Sequence, residues 1–187
     1  MGAANDAAVE GLLFDLRRSI RYHDHRKGFY VRWHLLTNLL TIFMAGVALT
    51  DVLNSSGPTG WASCLIKASA LMAAFLSAVD MLIGYQRQSS LHDRLKNEFA
   101  DLEIQLSQDR DHDAAKRRRL EIEKNEPPTY YALDALCRNE QLYAEGYKKN
   151  LPNRYLDVGW FARATHNLFR WQGAVFEYLV KEPIDDV

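Results

Sequence analysis

Two groups of residues in this chain have the types needed for chemistry. One is the His-Asp-His run Tyr22 to Arg26, "YHDHR"; the other is the set of charges Asp51, Lys67 and Asp80 within long apolar stretches. Histidines hold a metal ion only when their imidazoles converge. On a helix, residues two apart project about 200° from one another. His23 and His25 therefore cannot share an ion, and the run reads as a solvated face beside a membrane. Cys137 and His166 are of the types that form a nucleophile–base dyad, but nothing local brings them together. "KRRR", Lys116 to Arg119, is followed by Glu121 and Glu123 and reads as a solvated helix face. There is no Gly-rich phosphate loop, no nucleophile elbow and no carboxylate pair in an apolar cleft. We expect no catalytic residue, cofactor or metal, and no enzyme. The formal net charge of -1 gives no general attraction to nucleic acid, which is not an expected partner.

The three charges in apolar surroundings carry more. Ionisable groups inside a bilayer are costly, and they mark ion paths or the salt bridges that hold helices together. Both readings stay open for Asp51, Lys67 and Asp80. With them go the polar residues His34, Thr37 and Asn38, which share one helical face with Thr41 at spacings i, i+3, i+4, i+7.

These residues sit on two apolar stretches. Trp33 to Thr50 holds no formal charge over 18 residues. As a helix it would be about 27 Å long, against a hydrocarbon core of about 30 Å. Trp61 to Tyr85 is the second. Between them "NSSGPTG", Asn54 to Gly60, is a turn signal centred on Gly57-Pro58. Folded as an antiparallel hairpin, the two stretches set Lys67 one turn deeper than Asp51, within reach of a snorkelling stem. Asp80 falls level with His34, beside Arg32. Trp33, Trp61 and Tyr85 fall where aromatic belts belong. Arg17, Arg18, Arg21, Arg26, Lys27 and Arg32 precede the hairpin, Arg87, Arg94 and Lys96 follow it, and its turn has no Lys or Arg. That is the positive-inside pattern with both termini in the cytoplasm. The competing reading is a hairpin buried in a soluble core. A mean hydropathy of -0.30 is low for a membrane protein, but a polar remainder dilutes two spans.

The rest of the chain reads as helix. Val9 to Phe29 is amphipathic through Leu12, Leu13, Leu16, Ile20 and His23. Leu91, Leu95, Phe99, Leu102 and Leu106 step by four, four, three and four, a heptad-like seam suited to pairing with the N-terminal helix or with another subunit. We expect it to be an oligomerisation seam on a helix continuous with the second span. A charged helix from Ala114 to Asn125, with Asp113 as N-cap, ends at Pro127-Pro128. Thr129 to Glu145 is another, with Gly146 as C-cap. The last, about Asp157 to Gln172, is rich in aromatics. Cys64 and Cys137 have no pairing pattern. The expected class is all-α: a two-transmembrane helical hairpin with a cytoplasmic helical extension. The divisions are 1–32 as an N-terminal amphipathic helix, 33–85 as the hairpin (spans about 33–53 and 61–85), 86–176 as the cytoplasmic helical region and 177–187 as a tail.

This layout resembles the SLATT family, two-transmembrane proteins that associate with SMODS nucleotidyltransferases and SLOG domains. The residues that carry the resemblance are the basic-aromatic entry "HRKGFYVRWH", the exit "SAVDMLIGY" followed by "LHDRLKNEFADLEIQL", and "RRRLEIEKNEPPTYYALDALCRNEQLYAEGY". It covers about residues 12 to 172. The resemblance implies a membrane effector of a bacterial defence or conflict system. Such a protein would sit in the bacterial inner membrane, form a homo-oligomer and permeabilise the bilayer when a sensor or nucleotide-signal partner triggers it. Lys67 and Asp80 depart from the family pattern and put the lining of any pore in question. Two alternatives stand beside this: a membrane-anchored helical adaptor without pore activity, and a soluble all-α interaction protein.

Overall fold

The computed structural model describes residues 2–53, 60–149 and 154–180. Six helices account for most of them: α1 (Gly2–Leu53), α2 (Trp61–Ile83), α3 (Tyr85–Asp109), α4 (His112–Glu123), α5 (Tyr131–Ala144) and α6 (Trp160–Thr165). Among the described residues there is no strand, only an isolated antiparallel bridge between Leu156 and Tyr178. The chain divides into two compact units. One comprises residues 1–26 and 92–187, the other 27–91. The expected turn over Asn54 to Gly60 lies, except for Gly60, outside the described residues.

In the larger unit, the front of α1 and the length of α3 run antiparallel. Ion pairs set the register: Arg110 with Asp6 and Glu10, Arg17 Nε with Glu103 at 2.7 Å, and Lys96 Nζ with Asp24 at 2.6 Å. The apolar stripe of α1, Val9, Leu12, Leu13 and Leu16, is buried. So is that of α3: Leu95, Phe99, Leu102 and Leu106 are at most 3% exposed. The expectation of an oligomerisation seam is corrected here. With only Leu91 half-buried, these side chains are covered within the protomer and offer no apolar stripe to a second copy. The physical reason is proximity. A matching amphipathic helix on the same chain covers the seam without the entropic cost of association.

α4 begins two residues earlier than its sequence suggests. Asp111, not Asp113, is the N-cap, its carboxylate accepting from the Ala114 N–H at 3.0 Å. Arg119 ties α4 to α1 through Asp15 at 2.8 Å. α5 ends as expected at Gly146, where φ is +83° and the Tyr147 N–H reaches back to the Leu142 carbonyl. The final helix is far shorter than expected. Only Trp160–Thr165 is helical, because other bonds take the flanking backbone. Asn139 makes two hydrogen bonds to Leu156, the Tyr131 N–H donates to Arg170 O, and Asp157 and Leu179 pair with Glu177 and Tyr155. These turns fold Val158 and Ala162 onto Ala132 and Ala135 of α5, with Trp171 and Phe176 around them.

The smaller unit has the opposite arrangement of polarity. Among its described residues Thr37, Ser69, Ala73 and Tyr85 are buried, while Leu35, Leu39, Ile42, Phe43, Leu65, Leu71, Phe75, Met81 and Leu82 are 56–82% exposed. Small and polar residues line the helix contact, and large apolar ones face outward. α2 and α3 are not one continuous helix as expected. Gly84 sits between them in the left-handed region, φ 63° and ψ 49°, with its N–H on Asp80 O at 2.8 Å. Glycine adopts that conformation without strain.

Candidate functional site

The polar residues of the smaller unit gather around His34. Its Nδ1 lies 3.1 Å from Asp80 Oδ1, and the Asn38 side-chain amide lies 3.2 Å from its Nε2. The carboxylate can only accept, so Nδ1 carries the hydrogen. Nε2 is then free to accept from the Asn38 amide, which completes a consistent neutral imidazole. Asp80 comes from α2, while His34 and Asn38 lie one turn apart on α1. The helix spacing that sets them on one face is therefore what builds the group. Histidine and carboxylate are each part-covered, at 30% and 27% exposure. A protonated His34 would make the contact a salt bridge, and a neutral one makes it a hydrogen bond to an anion. In both forms the contact ties α1 to α2 through one polar bridge.

Among the described residues, the other expected site residues Thr37 and Lys67 are not part of this group. The Thr37 hydroxyl donates to the carbonyls of its own helix, at Trp33 and His34, both at 3.0 Å. Ser69 and Ser77 do the same at Ile66 and Ala73. Hydroxyls satisfied in this way let two helices approach closely. Lys67 is exposed. The side chain of Asp51 lies outside the described residues, and the expected Lys67–Asp51 pairing with it. Tyr85 is not in an outward aromatic belt. It is 8% exposed, with its ring 6.4 Å from that of Tyr30.

The larger unit holds a buried polar group that the sequence did not reveal. His23 and His92 meet Nδ1 to Nδ1 at 2.9 Å, and His23 Nε2 lies 3.0 Å from Glu126. Both imidazoles are 1% exposed, and His23 stacks on Phe99. Burial, then the neighbouring His23 and Arg26, push the His92 pKa down to about 3. His92 is therefore neutral at physiological pH. Arg26 is also 1% exposed; its guanidinium donates to Asn167 O at 2.8 Å and lies 3.8 Å over the Tyr130 ring. The Tyr22 hydroxyl accepts from the Tyr130 N–H, and burial raises its pKa to about 12. The one sequence signal for this cluster was polar residues on the apolar face of α1. His92 and Glu126 become visible only when α3 and the α4–α5 linker are in place.

His23 and His25 diverge as expected. His25 turns instead to α5, where its Nε2 lies 3.0 Å from Glu140 Oε2. Ligand atoms of His25, Cys137 and Glu140 all lie within 4.8 Å of one another. These are the described residues able to hold a metal ion. Burial pushes the Cys137 thiol well up, with Glu140 and Asp134 adding to the effect. His166 sits elsewhere, bonded to Arg163 O and Asn167, so the dyad with Cys137 does not form. In the "KRRR" run, Arg118 and Arg119 pair with Glu121 and Glu123. A cavity of about 540 Å³ is lined by Arg17, Arg21, Asp24, Lys96, Glu103 and Gln141 among others. Its cations are engaged by those acids and amides.

By length and composition, two helical segments could cross a membrane, Asn5–Leu49 and Ser63–Asp109, and only 6% and 11% of their most apolar windows are buried. Set against known proteins, the chain matches no family model, no curated protein and no solved structure.

Proposed function

We propose that this protein is an integral membrane effector of the kind its layout resembles. The apolar parts of α1 and α2 would cross the bacterial inner membrane as a hairpin with both termini in the cytoplasm. The helices of the larger unit would form a cytoplasmic body that receives a signal. Triggering would permeabilise the bilayer. The observation that carries this reading is the inverted polarity of residues 27–91. A soluble core helix is mostly covered, whereas here the large apolar side chains face outward and the small polar ones inward. The basic flanks of the hairpin, and a sequence from Asn54 to Gly60 without Lys or Arg, support the orientation.

Because the Leu95–Leu106 stripe is used within the protomer, copies would associate through the outward faces of the hairpin. A trigger that favours one packing of the cytoplasmic body would act through α1, which is helical from Gly2 to Leu53.

The test has two stages. Membranes from cells expressing the chain are washed at alkaline pH, and we expect the protein to stay in the pellet until detergent is added. Release into the supernatant would sink the membrane reading. Full induction is then followed with a membrane-potential dye, for the chain and for a version whose residues 33–85 are replaced by an unrelated two-span anchor. We expect depolarisation by the first only. No depolarisation by either, or the same depolarisation by both, would replace the pore by an anchored adaptor.

A further inference from the structure

We propose that His25, Cys137 and Glu140 form a binding site for one zinc-class divalent ion, with a fourth position open to water. The proposal does not depend on membrane insertion or on pore activity. It rests on three observations. The ligand atoms of the three side chains lie within 4.8 Å of one another. They come from two different helices, His25 from α1 and Cys137 and Glu140 from one turn of α5, so an ion would staple α1 to α5. The site also has a dry back wall and a wet mouth. Cys137 is fully buried against Tyr22 and Leu133, while His25 and Glu140 are 39% and 45% exposed.

The donor set selects the metal. A tetrahedral zinc ion with nitrogen and oxygen at about 2.0 Å and sulfur at about 2.3 Å needs ligand edges of roughly 3.3–3.5 Å. The His25–Glu140 edge is 3.0 Å, held by a hydrogen bond that the ion would replace. Small rotations of the side chains close the remaining gaps. A thiolate, an imidazole and a carboxylate together suit zinc and cobalt, and are poor for magnesium or calcium. On binding, the Cys137 thiol loses its proton to solvent, and the thiolate and carboxylate charges then cancel that of the ion. The nearby cations are engaged elsewhere: Arg18 contacts Asp134 at 3.4 Å and Arg21 donates to Gln141 at 2.8 Å. The local sequence hid this site, because His25 and Glu140 are 115 residues apart.

The full chain, purified in detergent and stripped with a chelator, is titrated with zinc chloride against a competing dye and, separately, with cobalt chloride. We expect one ion per chain and the visible bands of tetrahedral cobalt with a thiolate charge-transfer band. Cys137→Ser should abolish the charge-transfer band. Glu140→Gln, at a half-exposed position where the fold is not at risk, should weaken zinc binding at least about tenfold, as loss of a metal ligand or its close partner does. Cys64→Ser should change neither. Absence of saturable binding to the wild type, or binding that survives Glu140→Gln unchanged, would overturn the proposal. So would a cobalt spectrum that depends on Cys64 instead of Cys137.

Discussion

Burial of His92 makes a specific demand on pH. Its folded-state pKa, about 3, lies below the ordinary value of 6.5. The unfolded chain therefore binds a proton that the folded chain refuses. The stabilisation is complete above the unfolded pKa and is lost as pH falls from about 6.5 toward about 3. The cost of keeping the ring neutral grows by about 1.4 kcal/mol per pH unit below 6.5, reaching about 2 kcal/mol at about pH 5. The perturbation is His92→Asn. An asparagine amide can occupy the position of Nδ1, keep the 2.9 Å contact with His23, and does not titrate. His23, Glu126 and Arg26 are the same in both proteins, so the difference between the two profiles isolates position 92. Thermal unfolding of the two proteins in the same detergent is compared at about pH 7.5 and about pH 5. The wild type should lose about 2 kcal/mol more than the variant over that interval, roughly 6–10 °C in Tm for a unit of this size. Parallel losses would refute the reasoning, since they would mean that His92 is either hydrated or protonated in the folded state.

Three further outcomes follow from the packing. Leu95→Ala and Phe99→Ala should destabilise the fold itself by about 2–5 kcal/mol each, while Ile104→Ala on the outer face of α3 should be near neutral; denaturation midpoints in detergent report this. If Leu95→Ala instead altered only the oligomeric state, the seam would be intermolecular after all. Asp80→Leu removes the acceptor of the His34 Nδ1–H and should lower resistance to SDS unfolding by about 1 kcal/mol, with Asp80→Asn, which keeps an acceptor oxygen, losing less. Gly84→Ala should cost about 1 kcal/mol through its left-handed backbone alone, because a Cβ there meets nothing nearer than Arg87 Cβ at 3.8 Å. A stabilising result would mean that α2 and α3 prefer to run on as one helix.

The sequence by itself determined the helical class, the two apolar stretches and the level at which His34 and Asp80 meet. Each of these follows from local periodicity: the 3.6-residue repeat fixes faces, and counting from a turn fixes depth. It also located Gly146 as a C-cap, since a left-handed residue after an apolar helix favours glycine. Only the tertiary structure decided what each face meets. The Leu95–Leu106 stripe has the same periodicity whether its partner is α1 or another chain, and spacing cannot distinguish them. The helical pattern from Asp157 to Gln172 was overridden by Asn139, Tyr131 and Glu177, whose hydrogen bonds hold the flanking backbone in turns. His92, Glu126 and Glu140 carried no local signal, because they join α1 histidines across 69 to 115 residues of chain. A polar cluster formed by long-range packing leaves no periodicity behind, so it can be read only where the helices come together.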